Sequence, residues 1–376
     1  MLFSSGSGIV DFSDNSFDFA DETSILTFSG GTWDIDISGN DFVSTIETAA
    51  SQLVAITNQV SPSITNNVFD SQSSAADHLS IISTGTDCGA STISGNTMRS
   101  RSTGGHVIIV GTESTSAGDN KLDGAIIRNN TIYGDLYYHP ELDDSVNTHS
   151  IFVGYNKNAT IEYNTVIGGG YGIIVKGGGD EYTSGGIFYN RIIDSVGFAG
   201  IRSKGIKGVD IENNVVYANS SFSGDYYGIY VGQNGEGETA TGVTLRNNIL
   251  VGGGISDLIY LESASLSGFT SDYNILFRHN AGNIGNLSGG YDFSGWQGLG
   301  YDTHSLNTDP QLTDPDNYDV TIGPSSPAIN AGLDVGLAQD FVSVSVPQGT
   351  SPDIGIYEFF LPTAFPRCRP NMKQTE

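Results

Sequence analysis

The chain has 376 residues, with 50 glycines, 11 prolines and 18 each of tyrosine and phenylalanine, a composition of short apolar strands and tight turns rather than of a disordered polar tract. Its 42 acidic against 15 basic residues leave a formal net charge of −27, which repels nucleic-acid phosphates and anionic membrane surfaces. No apolar run approaches the roughly 18 residues of a membrane span, and two cysteines, Cys88 and Cys368, do not make the disulfide framework of a small secreted domain.

The first residues, Met1-Leu2-Phe3-Ser4-Ser5-Gly6, lack the basic and long apolar regions of a signal peptide. For the secreted or cell-surface protein expected below, either that peptide has been removed or the exported piece begins upstream. Farther along, one pattern recurs: an apolar residue, two variable positions, Asn, one variable position and a second apolar residue. It reads Phe12/Asn15/Phe17, Ile37/Asn40/Phe42, Ile64/Asn67/Phe69, Ile93/Asn96/Met98, Ile127/Asn130/Ile132, Ile161/Asn164/Val166, Ile187/Asn190/Ile192, Ile211/Asn214/Val216 and Leu245/Asn248/Leu250, with a degraded copy at Ser271/Asn274/Leu276.

The asparagines step by 25, 27, 29, 34, 34, 26, 24, 34 and 26 residues. That spacing is too irregular for leucine-rich or helical repeats, but it suits coils whose strands stay constant while their loops vary. The expected fold is all-β, a right-handed parallel β-helix of about ten coils. A β-sandwich or propeller would also give many short strands, but neither calls for Asn at one fixed offset. Asn suits the sharp turn because it tolerates left-handed backbone, and stacked copies can pair their amides as a ladder. Each coil carries a further strand upstream, as at 107–110, 150–153, 172–175, 200–203, 228–231 and 258–261.

From Trp296 the periodicity stops. Asp309-Pro310, Ser326-Pro327-Ala328-Ile329-Asn330-Ala331-Gly332 and Asp353-Ile354-Gly355-Ile356-Tyr357-Glu358 follow. This run resembles the C-terminal segment of bacterial secreted right-handed parallel β-helix proteins of the pectate-lyase-like superfold. The expected organisation is residues 1–295 as coils, 296–360 as a cap over the otherwise open end, with Trp296, Asp353 and Tyr357 structural, and 361–376 as a disordered tail.

A β-helix lines up outward side chains about 4.8 Å apart along a sheet, which forms a groove for an extended polymer. Aligning the upstream strands on Ile108, Ile151, Ile173, Ile201, Ile229 and Ile259 places Ile109, Phe152, Ile174, Arg202, Tyr230 and Tyr260 in one outward row. Gly111, Gly154, Lys176, Lys204, Gly232 and Glu262 form the next. Lys176, Arg202 and Lys204 thus share a face, a local reversal of charge in an acidic chain. β-Elimination at a uronic acid needs such a reversal: a base removes the proton beside the carboxylate, and positive charge stabilises the enolate-like product. Crowding of the three cations would lower a lysine pKa toward that of a base.

The run Ile173-Ile174-Val175-Lys176, followed by Gly200-Ile201-Arg202, resembles the Lys and Arg strands of β-helix polysaccharide lyases of the alginate lyase and chondroitinase B type. That resemblance implies Lys176 as base and Arg202 as acid or charge stabiliser. Gly168-Gly169-Gly170-Tyr171 stands where those enzymes carry calcium-binding glutamates. His106, His149, Tyr171 and Tyr227 begin the same strands, either as an acid–base set for elimination or epimerisation (His149 with Tyr171) or as a packed row. Calcium could also bind at Glu141-Leu142-Asp143-Asp144 or at Glu236 with Glu238, although neither has a defined ligand spacing. Motifs of inverting glycoside hydrolases are missing. The expected ligand is a polysaccharide. The protein is then either a lyase or a noncatalytic binding or adhesion module, in which Phe152, Tyr230 and Tyr260 stack on sugar rings.

Overall fold

Each apolar–Asn–apolar unit forms two short strands joined by a tight turn, and the upstream strand completes a coil. In the computed structural model ten such units stack in parallel, giving a β-helix with a first sheet of twelve strands and second and third sheets of ten each. The structure describes residues 1–19, 24–45, 52–59, 61–71, 79–82, 87–88, 90–100, 104–111, 121–134, 147–178, 185–194, 198–219, 226–253 and 257–360. The expected tail, 361–376, lies outside them.

Alternation within the strands sends one apolar residue inward per strand of the second and third sheets, and the parallel register superposes these residues. Ile127, Ile161, Ile187 and Ile211 form one such column. Phe42 and Phe69 belong to another and stack with centroids 5.0 Å apart. All of these residues are fully buried. The upstream strands align as the spacing predicts, with Ile108, Ile151, Ile173, Ile201, Ile229 and Ile259 in one buried column.

The asparagines do form a ladder. Asn130 donates from its backbone N–H (3.1 Å) and its Nδ2 (3.0 Å) to Oδ1 of Asn164. Asn164 does the same to Asn190, at 3.0 Å for both bonds. Each Nδ2 also reaches back to a main-chain carbonyl, as from Asn164 to Ile127 at 2.8 Å. The left-handed backbone, however, belongs to the residue before each ladder Asn: Asn66, Asn129, Tyr163, Tyr189, Asn213, Asn247 and Tyr273 have φ between 49° and 58°. The ladder position is selected for its side chain, and the turn geometry is carried by its neighbour.

At the far end Asn274 donates Nδ2 to Asp302 (2.8 Å) and its backbone N–H to Ser305 Oγ (2.7 Å), which stand where another Asn would. Asp302 also accepts from Ser271, Ser305 and the Trp296 indole. Trp296, on the short helix Phe293–Gly298, is fully buried against the core and plugs the last coil. The remaining segment turns along the side of the stack instead. Val320, Ile322, Ala328, Ile354 and Ile356 cover Ile193, Val215, Tyr217, Ile249 and Val251 on the outer face of the third sheet. Only its first part therefore closes the end.

Within that strap Asp353 accepts the backbone N–H groups of Asn330 (2.7 Å) and Phe359 (2.6 Å). Glu358 accepts those of Gln348 and Asp353. The Tyr357 ring packs edge-on against Phe341.

Candidate functional site

The first sheet turns an unusual mixture of rings and cations outward, and Gly172, Gly200 and Gly228 explain how. A Cβ at Gly172 would lie 2.3 Å from the Gly200 carbonyl and 2.8 Å from Ile192, and one at Gly200 would lie 2.4 Å from Val216. Position 172 and its equivalents therefore face the core, yet the following Ile173, Ile201 and Ile229 are buried there too. With two successive inward positions, Tyr171 and Tyr227 emerge on the outer side with the row one residue beyond each isoleucine, Ile174, Arg202 and Tyr230.

A continuous line of rings follows the coil axis. Centroids are 4.7 Å apart for His106–His149, 4.8 Å for His149–Tyr171, 5.8 Å for Tyr171–Phe198, 5.1 Å for Phe198–Tyr227 and 4.8 Å for Tyr227–Tyr260. In the adjacent row Tyr230 and Tyr260 stack at 5.0 Å with near-parallel planes. Phe152, read from sequence as a stacking surface, is only 3% exposed. It packs between His106 and His149, at 4.9 and 5.5 Å, in a patch shared with Ile109, Tyr171 and Ile174.

The three cations fall on this face in adjacent coils, with Ile174 paired to Arg202 and Lys176 to Lys204. The Arg202 guanidinium sits 4.6 Å from the centres of both Phe198 and Tyr230 and 5.7 Å from Tyr171. Its buried Nε has no hydrogen-bond partner. Flat rings on several sides hold the guanidinium in place.

Lys204 is the lysine with a lowered pKa. Burial chiefly, then the charges of Arg202 and Lys176, bring it down to about 8. The sequence reading assigned the base to Lys176, but the Lys176 ammonium is buried and ion-paired to Glu236 at 3.2 Å, with the Tyr155 ring 5.6 Å away. Slight burial raises the Glu236 carboxyl, but Lys176 and Tyr155 outweigh it and hold the group below its ordinary value. Farther along, Tyr230 donates its hydroxyl to Glu262, which also accepts the Gln233 backbone N–H at 2.8 Å. Burial and this carboxylate raise the Tyr230 phenol and keep it protonated.

Sequence spacing brought Lys176, Arg202, Lys204, Tyr230 and Tyr260 together correctly, and also His149 with Tyr171. It missed Phe198 and Tyr155. Phe198 stands one residue earlier relative to Gly200 than Tyr171 does to Gly172, and recurrence of an aromatic just before Gly172, Gly200 and Gly228 was the signal available. Of the acidic candidates for calcium, 141–144 lie outside the described residues. Glu236 is engaged by Lys176, and the Glu238 backbone N–H by Asn234. No group of three or more potential metal ligands occurs among the described residues.

No helix among the described residues is long and apolar enough to cross a membrane. No curated protein matches the chain. The four earliest ladder asparagines, Asn15 to Asn96, precede the stretch that resembles known sequences, yet they continue its register without a break. That stretch, residues 115–296, matches the family model of the right handed beta helix region and reaches to the Trp296 plug.

Proposed function

We propose that the outer face of the first sheet binds a uronate-containing polysaccharide and cleaves it by β-elimination, with Lys204 as the base. The observation that carries this reading is an amine with a pKa near 8 beside an aromatically clamped guanidinium, on one sheet of an otherwise acidic molecule. A base with a pKa near working pH is suited to abstract the proton at C5. The electron pair left there forms the C4–C5 double bond as the C4–O bond breaks, and Arg202 offsets the charge that builds on the carboxylate. Tyr230, held protonated, is the candidate donor to the departing oxygen. Tyr260 and Tyr227 extend the surface on which sugar rings stack.

Incubation with alginate, pectate, glycosaminoglycans and ulvan, with and without calcium, tests this through the ultraviolet absorbance of unsaturated uronate ends. The expected result is a rise that Lys204→Met abolishes, with a rate that climbs with pH to a plateau above about 8 as the amine deprotonates. A rise unaffected by Lys204→Met would remove Lys204 from the mechanism. The ring line favours a second reading, a noncatalytic carbohydrate-binding or adhesion module located outside the cell or on its surface. Binding without any absorbance change across the panel would support that reading over the first.

A further inference from the structure

We propose that Lys176 forms the floor of a carboxylate-binding subsite that the chain fills with its own Glu236, and that an acidic sugar enters by displacing it. The inference rests on the polysaccharide reading for the identity of the ligand, but not on elimination chemistry.

A buried ammonium requires a counter-ion, because stranding it in a low-dielectric site is strongly unfavourable. Lys176 is 9% exposed, and the carboxylate that meets it at 3.2 Å comes from outside the sheet. Glu236 is itself exposed, at the tip of a turn between Gln233 and Thr239, which pair antiparallel. Asn234 pins the base of that turn: its Nδ2 donates to the Gly177 carbonyl (2.7 Å), and its Oδ1 accepts the N–H groups of Glu236 (3.0 Å) and Glu238 (2.8 Å). The tip is uncrowded, since a Cβ at either Gly235 or Gly237 would meet nothing within 4 Å.

The anchored base and open tip let the Glu236 side chain leave without unravelling the turn. An incoming carboxylate then replaces an outgoing one, so Lys176 never loses its counter-ion and the charge in the pocket is unchanged. A neutral sugar offers no such exchange. Glu236 therefore acts as a selectivity device: it keeps Lys176 compensated at rest and taxes every ligand that cannot supply a carboxylate of its own.

The test is calorimetric titration of saturated oligogalacturonate and oligomannuronate, with cello-oligosaccharide as the neutral probe, at pH 6, where Lys204 is protonated and turnover is suppressed. Glu236→Gln should bind an acidic oligosaccharide roughly fivefold more tightly, the scale of one partly exposed ion pair no longer broken on binding. The gain should vanish in the Lys176→Met/Glu236→Gln double variant, and the thermal midpoint of Glu236→Gln, which leaves the buried Lys176 ammonium without that carboxylate, should fall below the parent's and recover in the double variant. Equal or weaker acidic binding by Glu236→Gln overturns the subsite, as does absence of acidic binding to either protein. Tighter binding by Glu236→Gln without any elimination by the parent keeps the subsite and removes the lyase. Elimination by the parent with unchanged Glu236→Gln affinity does the reverse.

Discussion

Two asparagines side by side in one turn do different jobs, and substitution separates them. Asn129 holds left-handed backbone at φ 55° and Asn130 is the ladder rung. Asn129→Ala should cost about 1 kcal/mol, because Ala keeps the Cβ clash of that conformation but lacks the short polar side chain that offsets it, and Asn129→Gly much less. Asn164→Ala strands the two buried donors of Asn130 and removes the Asn164 amide from Asn190. A loss of about 3 kcal/mol is expected from donors left unsatisfied. Denaturant midpoints of the three variants check the ranking, and a costly glycine at 129 would show that the side chain matters more than the φ angle. The same division explains what sequence could and could not reveal here. The recurrence of Asn was visible, but position 163 carries Tyr at φ 55° and position 95 carries Gly at φ 69°, so no single residue type marked the left-handed site.

At the scale of elements, strand register was legible because inward Ile, Val and Leu repeat in every coil, and one fixed column aligns all the others. That placed Arg202 beside Tyr230 and Lys176 beside Lys204. The identity of the low-pKa lysine was not legible, since it depends on Glu236, 60 residues away, choosing Lys176. The course of the C-terminal strap was hidden for a similar reason: its apolar residues have no period, and only packing shows that they lie on the third sheet. The plug is where this element should be most sensitive. Trp296→Ala opens the end of the core and leaves the Asp302 oxygen that the indole holds at 2.8 Å with Ser271 as its remaining donor, and a loss of about 3–5 kcal/mol is expected for a buried Trp truncated to Ala. Asp302→Asn turns an amide N–H toward donors already present and should also destabilise. A thermal midpoint of Trp296→Ala close to the parent value would mean that the strap alone secures the end.

The whole molecule combines a charge of −27 with carboxyls buried in its frame. Glu212, buried beside Asp210 and only partly compensated by Arg246, is raised to about 7, and Asp302, Asp353 and Glu358 are raised chiefly by burial. Where folded pKa values exceed unfolded ones, the folded state holds more protons, so stability is lost as pH rises. Between the ordinary carboxylate range and about pH 7, denaturation midpoints should therefore fall with increasing pH, and a midpoint that climbs across this window would contradict the shifts. The ladder has a last consequence, for how such a molecule changes over generations. Its rungs bond to one another across gaps of 24 to 34 residues, and the turn between the second and third sheets is two residues long in coil after coil, as between Glu162 and Thr165 or Glu212 and Val215. Length variation is confined to the two borders of the first sheet, where chain can be gained or lost without moving a rung. Inheritance can thus rewrite the margins of the ligand-facing surface while the scaffold beneath remains constant.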